Sequence, residues 1–212
     1  MTEKVLDWNE YTKAALQCAA EGIVLLRNDH VLPLAEGSRI AMFGRAQSHY
    51  YKSGTGSGGM VNVSHVIDIR EGLAASGQVI VDQELASIYD QWDDANTEYN
   101  ALGWGKEAWS MEEMPLEEDL VKAAASRCDS AVIVIARTAG EDRDNSEEEG
   151  SFFLSSKEKD MLKLVVAYFA KTVLVLNTGN IIDMNYIEEV SPSAVLYVWQ
   201  GGMIGGAAAA DV

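Results

Sequence analysis

The sequence predicts an α/β fold, a three-layer sandwich in which a mainly parallel sheet carries helices on both faces. Strand-like and helical patterns alternate along most of the chain, as βαβ connections require. The run Ala131-Val132-Ile133-Val134-Ile135-Ala136 is apolar without alternation, the pattern of a parallel strand covered on both sides. A length of 212 residues at 48% hydrophobic composition suits one sizeable core rather than two small ones.

Each element follows from local signals. Residues 9–21 place Tyr11, Ala15, Leu16, Ala19 and Ala20 on one helical face, with Asp7 or Asn9 as cap and Gly22 as stop. A short strand over 23–26 and a turn over 28–30 follow, then an extended Leu32-Pro33-Leu34, because Pro33 steers Leu32 away from helix. Residues 39–44 read as the first core strand. The connection over 48–59 holds two tyrosines, a lysine and four glycines, more than a simple link needs. A helix over 65–76 and a strand over 78–82 come next. Residues 84–114 break the alternation and read as a helical insertion interrupted at Gly103-Trp104-Gly105. Leu116, Leu120, Val121 and Ala124 stripe a helix over 116–127 that feeds the central strand. Ser155 and Glu158 have the spacing of a capping box opening a helix to residue 170. A strand over 172–177, a short helix over 186–190, a strand over 194–199 and the start of a helix over 205–211 complete the chain.

Composition excludes several classes of function. Sixteen basic against 33 acidic residues give a formal charge of −17, which repels phosphate backbones and anionic membrane surfaces, so no nucleic-acid or membrane partner is expected. Cys18 and Cys128, far apart in helix-like segments, offer neither a disulfide framework nor a zinc site. No apolar stretch approaches the roughly 20 residues of a membrane span, and the N-terminus lacks a signal-peptide pattern. A cytoplasmic location is the expectation.

Gly54-Thr55-Gly56-Ser57-Gly58-Gly59 satisfies G-x-G-x-x-G, with Asp82 downstream. That fingerprint should follow its strand directly and open a helix; here the strand ends near Gly44 and residues 62–64 intervene before the next helix, so no dinucleotide cofactor is expected. The acidic run over 142–149 lacks the glycine and distal glutamate of a calcium loop. His30, His49 and His65 show no ligand spacing, and no metal is expected. Glu141 differs from an ordinary loop carboxylate. It follows the central strand at the sheet's carboxyl end, where ligands of such sheets bind, and Thr138-Ala139-Gly140 before it allows close approach of backbone to ligand. Arg143 stands ready to meet a carboxylate or a hydroxyl-rich substrate.

Six ordered pieces together resemble the α/β sandwich domain of the family 3 glycoside hydrolases, whose best-known members are β-glucosidases. They are residues 21–28 with 32–34, 39–44, 52–58, 139–144 with 154–155, 175–179, and 199–202 with 205–206 and 210–212. In that family a TIM-type barrel carries an aspartate nucleophile and the sandwich domain supplies an acid/base glutamate from a Gly-Glu-Gly loop. Glu141 matches that glutamate; the chain departs from the pattern in having Asp142 where the second glycine often stands.

The resemblance implies the acid/base-supplying domain of a retaining β-glucosidase-like hydrolase acting on terminal β-linked sugars, inactive alone because its nucleophile lies elsewhere. Arg143 and Asp144 would orient the loop, Lys52, Ser53 and Gly54 would line the rim nearest the sugar, and Tyr51, with Tyr50, Trp104 and Trp109, would stack on a leaving-group sugar or pack. Residues 1–212 are expected to be one sandwich domain, its partners a carbohydrate and a barrel domain of the same polypeptide; self-association stays open. Met1 stands close before the first matching piece, and the chain stops in the first turns of a helix, so if Met1 is the native start the barrel is expected after residue 212; the alternative is a piece of a longer chain whose Met1 is not native. The alternatives are a stand-alone carbohydrate-binding or interaction module and, more distantly, a nucleotide-binding domain.

Overall fold

The computed structural model describes residues 6–56, 59, 61–96, 108–141 and 144–212. Within them six strands form one sheet: β1 (Val24–Asn28), β2 (Arg39–Phe43), β3 (Ile80–Val81), β4 (Ser130–Arg137), β5 (Thr172–Thr178) and β6 (Ala194–Tyr197), in the order β1-β6-β5-β4-β2-β3. All neighbouring pairs are parallel except β1 with β6, so the expected mainly parallel sheet is found with an antiparallel strand at one edge.

Strand period decides which helix covers which face. Ala131, Ile133 and Ile135 of β4 and Leu174 and Leu176 of β5 point to one side. There they meet α3 (Gln83–Ala95), α4 (Glu118–Arg127), α5 (Ser156–Tyr168) and α6 (Asn185–Val190), through Leu85, Tyr89, Val121, Met161, Leu162, Val165 and Ile187. Val132, Val134, Val173, Val175 and Leu196 point to the other side, toward Ile69 and Leu73 of α2 (Ile69–Ser76) and the alanines of α7 (Gly205–Asp211). Helix α1 (Trp8–Gly22) lies outside α7 and buries no residue fully. Every residue of β4 and β5 is buried. Each large aliphatic side chain these two strands remove from water contributes about 1.5–3 kcal/mol.

Caps set the helix ends. Asp7 accepts from the backbone N–H groups of Asn9 and Glu10, as expected for α1. The Ser155/Glu158 capping box at α5 is formed in both directions. The helix expected over 65–76 begins only at Ile69, because Asp68 accepts from the Glu71 N–H and takes the cap position. The helix expected from 116 begins at Glu118, since Glu117 is extended. The strand expected over 78–82 shrinks to Ile80–Val81, with Asp82 becoming the residue before α3. The last strand ends at Tyr197 rather than 199, where Trp199 adopts φ 54°. Of the insertion expected over 84–114, α3 carries the first part; Trp104 and its flanking glycines lie outside the described residues.

Candidate functional site

Parallel strands bring the carboxyl ends of β2, β4, β5 and β6 to one edge, and residues 51–56, from the connection after β2, cross that edge as a strap. The strap is fastened at each strand exit. At β5, the fully buried Asn177 accepts from the Tyr51 N–H at 2.8 Å and donates to the Tyr51 carbonyl at 3.1 Å and the Trp199 carbonyl at 2.6 Å. At the exit of β6, the Gly202 N–H donates to the Lys52 carbonyl at 2.8 Å. At the exit of β4, the Thr55 N–H donates to the Ala139 carbonyl at 2.5 Å and the Glu141 N–H donates to the Thr55 carbonyl at 3.4 Å.

That last pairing places Glu141. Gly140 has φ +145°, and a side chain there would run into the Thr55 backbone. Gly56 has φ +83°, and a Cβ there would stand 2.5 Å from the Glu141 Cβ and 2.9 Å from its Oε2. The strap therefore needs glycine where it passes under the carboxylate. Glu141 itself is exposed, held over the strap beyond the end of the fully buried β4.

The other residues expected at the site differ in their placement. Gly54 belongs to the clasp, since a Cβ there would lie 2.7 Å from the Ala139 carbonyl oxygen. Lys52 and Ser53, half-buried, close the glycine loop on itself: the Lys52 Nζ donates to the Ser53 Oγ at 3.1 Å and to the Gly59 carbonyl at 3.2 Å, and the Ser53 Oγ donates to the same carbonyl at 3.2 Å. Tyr51 is half-buried with its backbone held by Asn177. Tyr50 packs: it is buried against Gly205, and its hydroxyl accepts from the Gly201 N–H at 2.7 Å. Asp144 is exposed three residues beyond Glu141. The Trp109 carbonyl accepts from the Thr138 N–H at 2.8 Å, tying the end of the insertion to the root of the Glu141 loop. Arg143 lies outside the described residues.

Beneath this edge lies a buried polar layer absent from the expectations. Arg137, the last residue of β4, meets Glu158 of α5 through two bonds, Nη1 to Oε1 at 2.6 Å and Nη2 to Oε2 at 2.7 Å. It also donates to the carbonyls of Ser151, Phe153 and Ala136. Arg45, after β2, pairs with Asp93 of α3 at 2.5 Å, donates to the Glu112 and Asn96 carbonyls, and stacks 4.6 Å from the Trp92 ring centroid. His49 reaches the other Asp93 oxygen at 3.0 Å. Burial alone would raise the Asp93 carboxyl, but the His49 hydrogen bond and the charges of His49 and Arg45 outweigh it and hold it below the usual range. Glu113 accepts from the Arg45 N–H at 3.0 Å; burial first, then the Glu158 charge, pushes its carboxyl up to about 8, so it is carried protonated at neutral pH. The signal for this layer is a polar residue one or two places after an apolar strand: Arg137 after Ala136, Asn177 after Leu176, Arg45 after Phe43 and Gly44.

The fold is a three-layer α/β domain, a class that hosts many functions, and comparison of the sequence narrows it to one family. The profile of the glycosyl hydrolase family 3 C-terminal domain matches residues 23–212, and the chain belongs to that family. It is 51% identical over 207 residues to a β-glucosidase of Ruminococcus albus, covering 98% of this chain and 22% of that protein. A crystal structure of a β-glucosidase from Paenibacillus barengoltzii superposes with a TM-score of 0.93 at 39% identity, over 100% of this chain and 23% of that one. β-Glucosidase 3B from Thermotoga neapolitana, solved in complex with α-D-glucose, gives 0.88 at 35% identity over 97% and 29%. The chain thus spans about a quarter of the length of the relatives it matches.

Proposed function

We propose that this chain is the acid/base domain of a retaining β-glucosidase-like hydrolase, with Glu141 as the residue that acts, and that a barrel domain of the same polypeptide supplies the nucleophile. The observation that carries the reading is the placement of Glu141: exposed, outside the carboxyl end of the central strand, with its backbone bonded to a strap that is glycine where it passes under the carboxylate. Retaining hydrolysis uses two carboxyl groups about 5–5.5 Å apart. In the first step the nucleophile attacks the anomeric carbon while Glu141 passes its proton to the leaving oxygen, and the glycosidic C–O bond breaks. In the second, Glu141 as carboxylate takes a proton from water as its oxygen bonds to the anomeric carbon; the bond from that carbon to the nucleophile breaks, freeing the sugar and restoring the nucleophile. Terminal β-linked glucosides are the proposed substrates, supported by the relatives named β-glucosidase. The isolated chain, holding one of the two carboxyl groups, is inactive in this reading.

The test is Glu141→Ala in the complete enzyme, assayed on a series of aryl and alkyl glucosides. Turnover of substrates with poor leaving groups should fall by about 100-fold or more, with activated aryl glucosides far less affected. Equal loss across the series would contradict the acid role.

A further inference from the structure

The neck of the Glu141 loop is closed by one side chain. Residues 138–155 leave β4 and return to α5, and Arg137 stands where the two limbs meet. A guanidinium has five N–H donors in a rigid fork, and here each finds an acceptor inside the protein. Nε binds the Ser151 carbonyl at 2.8 Å, Nη1 binds the Ala136 carbonyl at 2.8 Å and Glu158 Oε1, and Nη2 binds the Phe153 carbonyl at 3.3 Å and Glu158 Oε2. Glu158 Oε2 also accepts from the Ser155 N–H at 2.7 Å, so the same carboxylate caps α5. Both side chains are almost wholly buried. Around the pair lie the carboxyl of Glu113 and, beyond it, the guanidinium of Arg45.

Resting on the reading of Glu141 as acid/base, we propose that Arg137, neutralised by Glu158, is the positioning residue that sets the reach of Glu141 into the active site. The outgoing limb is fixed by β4 and the strap; the returning limb is fixed by the Arg137 bonds to Ser151 and Phe153. Only three residues separate Arg137 from Glu141, so a shift of the neck is carried directly to the carboxylate. Lysine cannot replace this function: it offers one ammonium in place of a planar fork and cannot hold Glu158 bidentately while reaching two carbonyls.

The test uses the complete enzyme. The double variant Arg137→Met/Glu158→Leu removes both buried charges together, which spares the fold the cost of an unpaired ion while cutting the tether. With the folded state checked by thermal unfolding, kcat on poor-leaving-group glucosides should fall about 10- to 100-fold. KM and the turnover of activated aryl glucosides should stay within about threefold, a split that general loss of folded enzyme would not produce. Arg137→Lys, which keeps the charge, should show the same split at smaller amplitude and serves if the double variant does not fold. Wild-type kcat on all substrates in either folded variant overturns the inference, as does a uniform loss across the series. Glu141→Ala in parallel separates the two claims: if it shows the leaving-group split and the Arg137 variants do not, only the positioning role fails, and if it does not, the acid/base reading itself fails.

Discussion

The two ends of the parallel strands are finished in different ways. At the amino ends, small side chains tidy up backbone groups close to solvent: Asp129 accepts from the Arg39 N–H, and Thr172 and Ser193 exchange side-chain and backbone hydrogen bonds. At the carboxyl ends, Arg45, Arg137, Asn177, Glu113 and Glu158 are buried, and their bonds reach loop carbonyls and helix side chains as well as the strand end. Burying such groups is costly unless each is paired, and near the amino ends the buried Asp82 is paired in this way with Arg127 at the end of α4, at 2.8 Å. What the carboxyl layer adds is fixed loop geometry, at the edge where Glu141 is presented.

That contrast can be broken at several strengths. The largest effect belongs to the single variants Arg137→Ala and Glu158→Ala, each of which strands a buried charge; urea unfolding should show a loss of about 3–5 kcal/mol. Asn177→Leu leaves the Tyr51 amide and two carbonyls without their partner, and about 1–3 kcal/mol should be lost, with a fall in activity because the strap under Glu141 is released. At the opposite end, Ser193→Ala should cost no more than about 1.5 kcal/mol and leave kinetics unchanged. An equal effect of Asn177→Leu and Ser193→Ala on activity would erase the distinction between the two ends.

Glu113 gives the contrast a pH signature. Its carboxyl titrates near 8 in the folded chain against an ordinary value of 4.5, so between these values the native state holds a proton that the unfolded state has lost. Its contribution to stability is therefore full below about 4.5 and is lost as pH rises through about 8. Unfolding free energies measured from pH 5 to pH 9 should show this decline, and Glu113→Gln, which keeps a neutral side chain of the same shape, should flatten it. A decline unchanged in Glu113→Gln would place its origin elsewhere.

The division between ends also explains what could be read from the sequence. Apolar period and cap chemistry are local, so the strands, the α5 capping box and the Asp7 cap were legible. The position of Glu141, exposed in the loop after the central strand, was legible because that strand is a continuous apolar run. Arg137 and Arg45 were not, because charged residues are rarely buried and their partners lie 21 and 48 positions away. Asn177 stood in plain view in the run 175–179, but its partner Tyr51 is 126 positions distant, and nothing local links them. The strap is the clearest lesson: Lys52, Ser53 and Gly54 read as a rim for a ligand, and the bonds that Lys52 and Ser53 also make to close the loop could not be read from local sequence.

The most direct measurement of the central claim is the pH dependence of kcat/KM for the complete enzyme and its Glu141→Gln variant on an activated aryl glucoside. A general acid must be protonated to act, so the wild-type profile should fall on its alkaline side. In the variant, where no proton remains to be lost, that limb should disappear while the acid limb, set by the nucleophile, stays. An alkaline limb that survives unchanged in Glu141→Gln would contradict the account.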